Sequence, residues 1–181
     1  MSAGAGSVLV RRASQVLTCT GDGPSGLAVV DGPAAVLVTG GRVAWAGPES
    51  DIPAGHGEVA ELNAAGRCVV PGFVDAHTHL VFGGDRAEEF EARLAGRPYA
   101  AGGIGTTVAA TRAATTGELL ARTRRLAIEA ISSGTTTLEV KSGYGLSIDD
   151  ERRCLEVAAD LTPHVTFLGA HVVPEDRTAG E

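Results

Sequence analysis

A chain of 181 residues with 44% hydrophobic content can bury a core, and aromatic residues at 4% against 25 glycines leave that core to Val, Leu, Ala and Ile. The formal net charge of -7 excludes a phosphate-binding surface, so nucleic acid is set aside as a partner. The opening residues MSAGAGSVLVRRAS lack a basic stretch followed by a sustained apolar run, and no later segment is long enough to span a bilayer; the expectation is a cytoplasmic protein with no membrane partner. Cys19, Cys68 and Cys154 are odd in number and far apart, which signals neither a disulfide framework nor a cysteine zinc site but reduced, partly buried thiols.

From residue 7 to about 65, short β-rich runs (SVLV, GLAVV, AAVLVTGGRVAWAG) alternate with the turn clusters GDGPSG, DGP and GPESDIPAGHG, predicting a small antiparallel β unit over residues 1–66. Trp45 is read as its core anchor, and His56 as solvated in a Gly and Pro loop. From Arg67 the texture changes: the runs CVVPGFVDAH, TTTLEVK and HVTFLGAHVV read as strands, with longer helical segments between them. GELLARTRRLAIEAISSG places Leu119, Leu120, Leu126 and Ile131 at helical spacing and stops at Gly134. SIDDERRCLEVAADL starts at Ser147 with Asp150 three residues on, close to a capping box, and carries Leu155, Ala158 and Leu161 on one face. This order over residues 67–181 predicts parallel βαβ units of an α/β fold. AGGIGTT, from Ala101, lacks the third glycine of a dinucleotide fingerprint and follows no strand, so that reading is rejected.

In TTTLEVK, Leu138 and Val140 share one parity while Thr137, Glu139 and Lys141 share the other, so one face meets helices and the other carries charge. A charged inner face fits the C-terminal mouth of a β/α barrel. His77 and His79 stand at i and i+2, with Cα atoms roughly 6.5 Å apart on one strand face, a separation two imidazoles can close around one ion. Asp75 shares their parity and either orients a histidine or terminates the strand. Two histidines do not complete a catalytic zinc site, which takes three protein ligands and a water.

PGFVDAHTH followed by LVFGGDRAEEF, then EVKSGYGL, then FLGAHVVPE, together resemble the imidazolonepropionases of the metal-dependent amidohydrolase superfamily, from about residue 7 to the end. The resemblance implies an incomplete TIM-like (β/α)8 barrel preceded by a small β-sandwich-like unit, and one Zn or Fe ion per complete active site. It also implies hydrolysis of the cyclic amide of 4-imidazolone-5-propanoate to N-formimidoyl-L-glutamate. It casts His77 and His79 as metal ligands, and Arg86, Tyr144 and His171 as substrate contacts. Physically, the planar fork of Arg86 suits the substrate carboxylate, with AEEFEAR behind it to hold it, although by itself it reads as a solvated arginine heading a helix. Flanking glycines in SGYG would expose the Tyr144 ring at a loop tip. His171 ends an apolar strand and, without the resemblance, is a satisfied core histidine; His164, beside Pro163, is solvated.

Lys141, the single lysine of the chain, pairs with Glu139 or supports the substrate site. A carbamylated lysine bridging two metals defines the alternative of a hydantoinase-like or dihydroorotase-like enzyme, and a non-catalytic remnant is the other alternative. A β/α barrel needs about 250 residues; the resemblance implies that a further histidine, an aspartate and the acid/base carboxylate of the family's site lie beyond Glu181, and this chain alone is expected not to catalyse. A small-molecule substrate is the implied partner, and a homo-oligomer is compatible with the sequence.

Overall fold

The computed structural model describes residues 6–22, 26–56, 59–96 and 103–173. It divides into two units, Met1–Pro71 and Gly72–Glu181, so the boundary falls at Pro71 rather than after residue 66.

The first unit is a sheet of β1 (Val8–Leu17), β2 (Val29–Thr39), β3 (Arg42–Pro48), β4 (Ala60–Asn63) and β5 (Cys68–Val69), in the order β3-β2-β1-β4 with β5 also on β1. Gly40 and Gly41, both at positive φ, form the two-residue turn joining β2 to β3; this turn requires residues that accept the left-handed region. The first three strands are antiparallel as the sequence suggests. The unit is not wholly antiparallel, however, because β4 and β5 both run parallel to β1. Their connection from β3 crosses to the far edge of β1 instead of turning back as a hairpin, which allows the parallel direction.

Ala34, Ala35, Val36 and Leu37 are all buried, because successive strand side chains point to opposite faces and both faces of β2 are covered. Ala34 and Val36 join Ala13 and Val16, while Ala35 and Leu37 join Leu9. Trp45 is half-buried at the margin of the second cluster, a flank rather than an anchor.

The second unit contains β6 (Phe73–Thr78), α1 (Ala87–Leu94), α2 (Ile104–Ala113), α3 (Thr116–Ser132), β7 (Thr135–Lys141), α4 (Ile148–Ala159) and β8 (Val165–Thr166). Its sheet is parallel throughout, in the order β6-β7-β8. The predicted strand CVVPGFVDAH is two strands in two sheets, β5 and β6. Pro71 between them has no amide to donate to a ladder, so neither sheet can continue through it. The predicted run HVTFLGAHVV shrinks to the two residues of β8, and residues 169–172 form turns and bends. Helix α2 begins at Ile104, just beyond residues 97–102, which lie outside the described residues together with the first part of AGGIGTT.

Thr115 Oγ1 accepts from the Glu118 amide at 3.2 Å, and Glu118 Oε2 accepts from the Thr115 amide at 2.8 Å, a full capping box opening α3 that the sequence reading passed over. The Thr115 amide, then its hydroxyl, hold the Glu118 carboxyl below the usual carboxylate range. Thr115→Ala is expected to lower stability by about 1 kcal/mol in urea unfolding; a change near zero would mean the box does not stabilise α3. On α4 the expected cap holds, with Ser147 Oγ accepting from the Asp150 amide at 3.2 Å.

The core joins Val81, Leu119, Val140, Cys154, Val157 and Ala158, with Leu138 and Val165 against it. Leu119 is buried as expected, but Ile131 is 61% exposed, because the inward stripe of α3 runs through Leu119, Thr123 and Ala127 at i, i+4 and i+8. On α4 the stripe is Cys154, Val157 and Ala158, with Leu155 half-buried. The thiols differ from the expected partial burial: Cys19 and Cys68 are exposed, while Cys154 is fully buried and burial pushes its pKa up to about 11. Iodoacetamide at pH 8 should therefore modify Cys19 and Cys68 in the native chain and Cys154 only after denaturation; mass spectrometry showing three adducts on folded protein would contradict this packing. No helix of the described residues is long and apolar enough to cross a membrane.

Candidate metal and substrate site

The site grows from the C-terminal ends of the three parallel strands and the segments that follow them. β6 brings His77 to its penultimate position, and His79 lies one residue past its end on the same side of the alternation. Their ring centroids are 5.5 Å apart, tilted 54°. Two imidazoles on one ion at the usual metal-nitrogen distance of about 2.0 Å would place their centroids roughly 5 Å apart, so the pair is spaced to share a metal.

The donor chemistry fits as well. Both ring nitrogens of His79 are buried with no hydrogen-bond partner. The nearby Ser142 carbonyl favours the protonated ring but does not reach hydrogen-bond geometry. Burial, then the charges of His171, His77 and Lys141, push the His79 pKa down, which keeps the ring neutral and its lone pair available. A buried imidazole with two unsatisfied nitrogens costs on the order of 1–3 kcal/mol per group, an expense an ion would offset. Among the described residues, no group of three or more His, Cys, Asp or Glu side chains is arranged to hold an ion. Asp75 settles between its two readings as a backbone contact, its carboxylate accepting from the His77 amide at 3.3 Å.

β7 is clamped to β6 by Thr78 Oγ1, which donates to the Glu139 carbonyl at 2.8 Å. The predicted division of its faces holds, with Val140 fully buried in the core and Lys141 Nζ donating to Glu139 Oε1 at 2.6 Å on the other side. Both side chains are less than one-fifth exposed, so Lys141 is committed to this ion pair.

The loop after β7 carries Tyr144. Rather than standing exposed at a tip, its ring is half-buried, 5.1 Å from the His79 ring and 5.6 Å from that of His171. The glycines serve to tuck the loop in. Gly143, at φ +133, has a position where a Cβ would lie 2.9 Å from the His171 Cβ, and a Cβ on Gly145 would lie 2.5 Å from the Glu151 amide nitrogen. Burial raises the Tyr144 pKa while the charge of Arg86 lowers it, so hydroxyl and guanidinium share one electrostatic neighbourhood.

Arg86 heads α1, and its Nε donates to Glu89 Oε2 at 2.6 Å. Glu89 is only 7% exposed, so the acidic segment does hold the arginine as the sequence suggests, while the guanidinium remains 42% exposed. His171 lies beyond the end of β8, exposed, not at a strand terminus and not in the core, and it stacks on His79 at 4.4 Å and 17°. The ring of His79 is thus the hub on which His77, Tyr144 and His171 converge. Glu151, which no motif marked, reaches the loop just after Tyr144: its Oε1 accepts from the Gly145 and Leu146 amides at 2.8 and 2.9 Å. Its place in the first turn of α4 looks like ordinary helix chemistry in sequence, and only the fold turns it toward the loop. His56 and His164 are exposed.

The α/β structure is similar in fold to several solved hydrolases. Triazine hydrolase from Arthobacter aurescens matches with TM-score 0.57 at 16% identity, over 91% of this chain and 36% of its own. N-isopropylammelide isopropylaminohydrolase from Burkholderia multivorans matches with TM-score 0.52 at 24% identity, over 90% and 36%. At such identities these likenesses establish the fold alone. No family model matches the chain.

Sequence relatives narrow the class. The chain is 60% identical over 143 residues to the imidazolonepropionase of Mycolicibacterium smegmatis, covering 79% of this chain and 35% of that enzyme. It is 53% identical over 172 residues to that of Salinispora arenicola, covering 94% and 42%. By sequence the chain is similar to imidazolonepropionases, and it spans about two-fifths of the length of the curated relatives it matches.

Proposed function

We propose that this chain contributes the first part of the active site of an imidazolonepropionase: two ligands of a single Zn or Fe ion and the grip on the substrate's acidic tail. In this reading β6, β7 and β8 begin a TIM-like barrel, and the first unit is part of a small β-sandwich-like domain. The exposure of Phe73 and Val74 on β6 and of Phe167 after β8 supports it, since a parallel sheet is normally covered and its edges paired. The observation that carries the proposal is His79: a half-buried imidazole whose two nitrogens are buried and unpartnered, at ion-sharing distance from His77 and ringed by Tyr144 and His171.

His77 and His79 would hold the ion, which when bound supplies the acidity that readies water for attack on a carbonyl. Arg86 would bind the propionate of 4-imidazolone-5-propanoate through its two parallel donors, fixing the ring over the imidazoles. Tyr144 and His171 would flank the ring and offer hydrogen bonds from the far side. Water adds across the cyclic amide, the C-N bond breaks, and the departing ring nitrogen takes a proton, giving N-formimidoyl-L-glutamate. The matched relatives are longer than this chain, and in this reading the acid/base carboxylate and the remaining ligands would come from the part of the enzyme outside the match. A cytoplasmic location is part of the same reading, as expected for an enzyme of histidine degradation. The pairing of Lys141 with Glu139 favours this single-ion reading over a carbamylated, two-metal site.

The test is a chimera in which this chain replaces the 143 matching residues of the Mycolicibacterium smegmatis enzyme. Hydrolysis of 4-imidazolone-5-propanoate with one metal per chain is expected, while the 181-residue chain alone should show no turnover. A folded chimera that turns over another cyclic amide but not this one, or binds two ions, would reject the assignment.

A further inference from the structure

The loop that carries Tyr144 has a backbone that does not hold itself. Leu146 has φ +57, a strained value for a branched side chain, and Gly143 is at φ +133. Its entry is secured where the Ser142 amide donates to the Thr166 carbonyl at 3.0 Å. Its exit is secured by one side chain: Glu151 Oε1 accepts from two successive amides, those of Gly145 and Leu146. Glu151 is only 7% exposed, and its other oxygen is buried without a partner. Burying a carboxylate to bind two loop amides is costly, because its second oxygen gives up water for nothing. A helix cap alone would not require it, since Ser147 already serves α4.

We propose that Glu151 is a positioning residue that fixes the Tyr144 ring against His79 and His171, and so sets the affinity for substrate. The inference rests on the reading of Tyr144 as a substrate contact. Glu151 touches none of the reacting groups; it acts by locking the two peptide planes that follow Tyr144. A loop released at its exit would let Leu146 relax from its strained conformation and swing the phenol away from the imidazoles.

Two variants separate acceptor from bulk. Glu151→Gln keeps an oxygen that can accept from both amides; Glu151→Met keeps the length and fills the space without one. In the isolated chain, NMR should show at least tenfold faster exchange of the Gly145 and Leu146 amides in the Met variant, and loss of ring-to-ring contacts between Tyr144 and His171. The Gln variant should keep both. In the chimera the Met variant should raise KM as much as Tyr144→Ala does, with no further rise in the double variant, and the Gln variant should restore it. A Met variant that keeps the ring contacts and slow amides overturns the proposal, as does a Gln variant as impaired as the Met one or loss of the folded spectrum in both. Should Tyr144→Ala leave KM unchanged while the Met variant still frees the ring, the substrate role of Tyr144 falls and the positioning role of Glu151 stands.

Discussion

Replacing His77 or His79 with alanine in the chimera is expected to abolish stoichiometric metal and to lower kcat/KM about a thousandfold or more. The size follows from what a metal supplies to amide hydrolysis: several kcal/mol of charge stabilisation, with each 1.36 kcal/mol worth a factor of ten. The two variants should differ in stability. His79 is half-buried beside His77, Tyr144 and His171, and its two buried, unpartnered nitrogens make it a costly residue in the metal-free chain. His79→Ala should therefore make the metal-free protein slightly more stable than the parent, whereas His77→Ala, at an exposed position, should leave its stability unchanged. Metal analysis and urea unfolding of the metal-free proteins check both halves. Full metal content in either variant would remove that histidine from the ligand set.

Arg86→Ala should raise KM about 30- to 1000-fold with a much smaller change in kcat. On the proposed reading the guanidinium-carboxylate pair would make two charge-assisted hydrogen bonds, together worth about 2–4 kcal/mol, and the propionate would be held equally in ground and transition states. Arg86→Lys should recover only part of the loss, since an ammonium cannot present the parallel fork. The ion pair with Glu89 at 2.6 Å orients the arginine before substrate arrives, so Glu89→Gln should give a milder rise in KM. An unchanged KM in Arg86→Ala would take this residue out of the substrate site, leaving its contact with Glu89 as helix chemistry.

Much of this was legible in the order of residues, and the parts that were share a physical cause. The strand alternation of β7 was readable because a half-buried strand repeats every two residues, so Val140 and Lys141 had to face opposite ways. The helices α3 and α4 were readable because their apolar residues recur at helical spacing, and α4 also because it begins at a capping serine. The inference that His77 and His79 act together needed only their i, i+2 spacing. By contrast α2, with small residues on every side, presents no stripe that a sequence reading can recognise.

What the amino-acid order determined by itself, then, was local: periodicity, caps, the two-histidine pair and the family motifs that gave Arg86, Tyr144 and His171 their expected parts. What only the tertiary structure decided was which of these meet. Pro71 divides one apolar run between two sheets, β4 and β5 join β1 in parallel, Tyr144 turns inward from its glycine loop, and Glu151 reaches that loop from the next helix. Each depends on contacts between residues distant in the chain or on a backbone turn at a single peptide. Such contacts leave no period in the sequence, because their energy is set by the packing of the whole unit rather than by neighbouring residues.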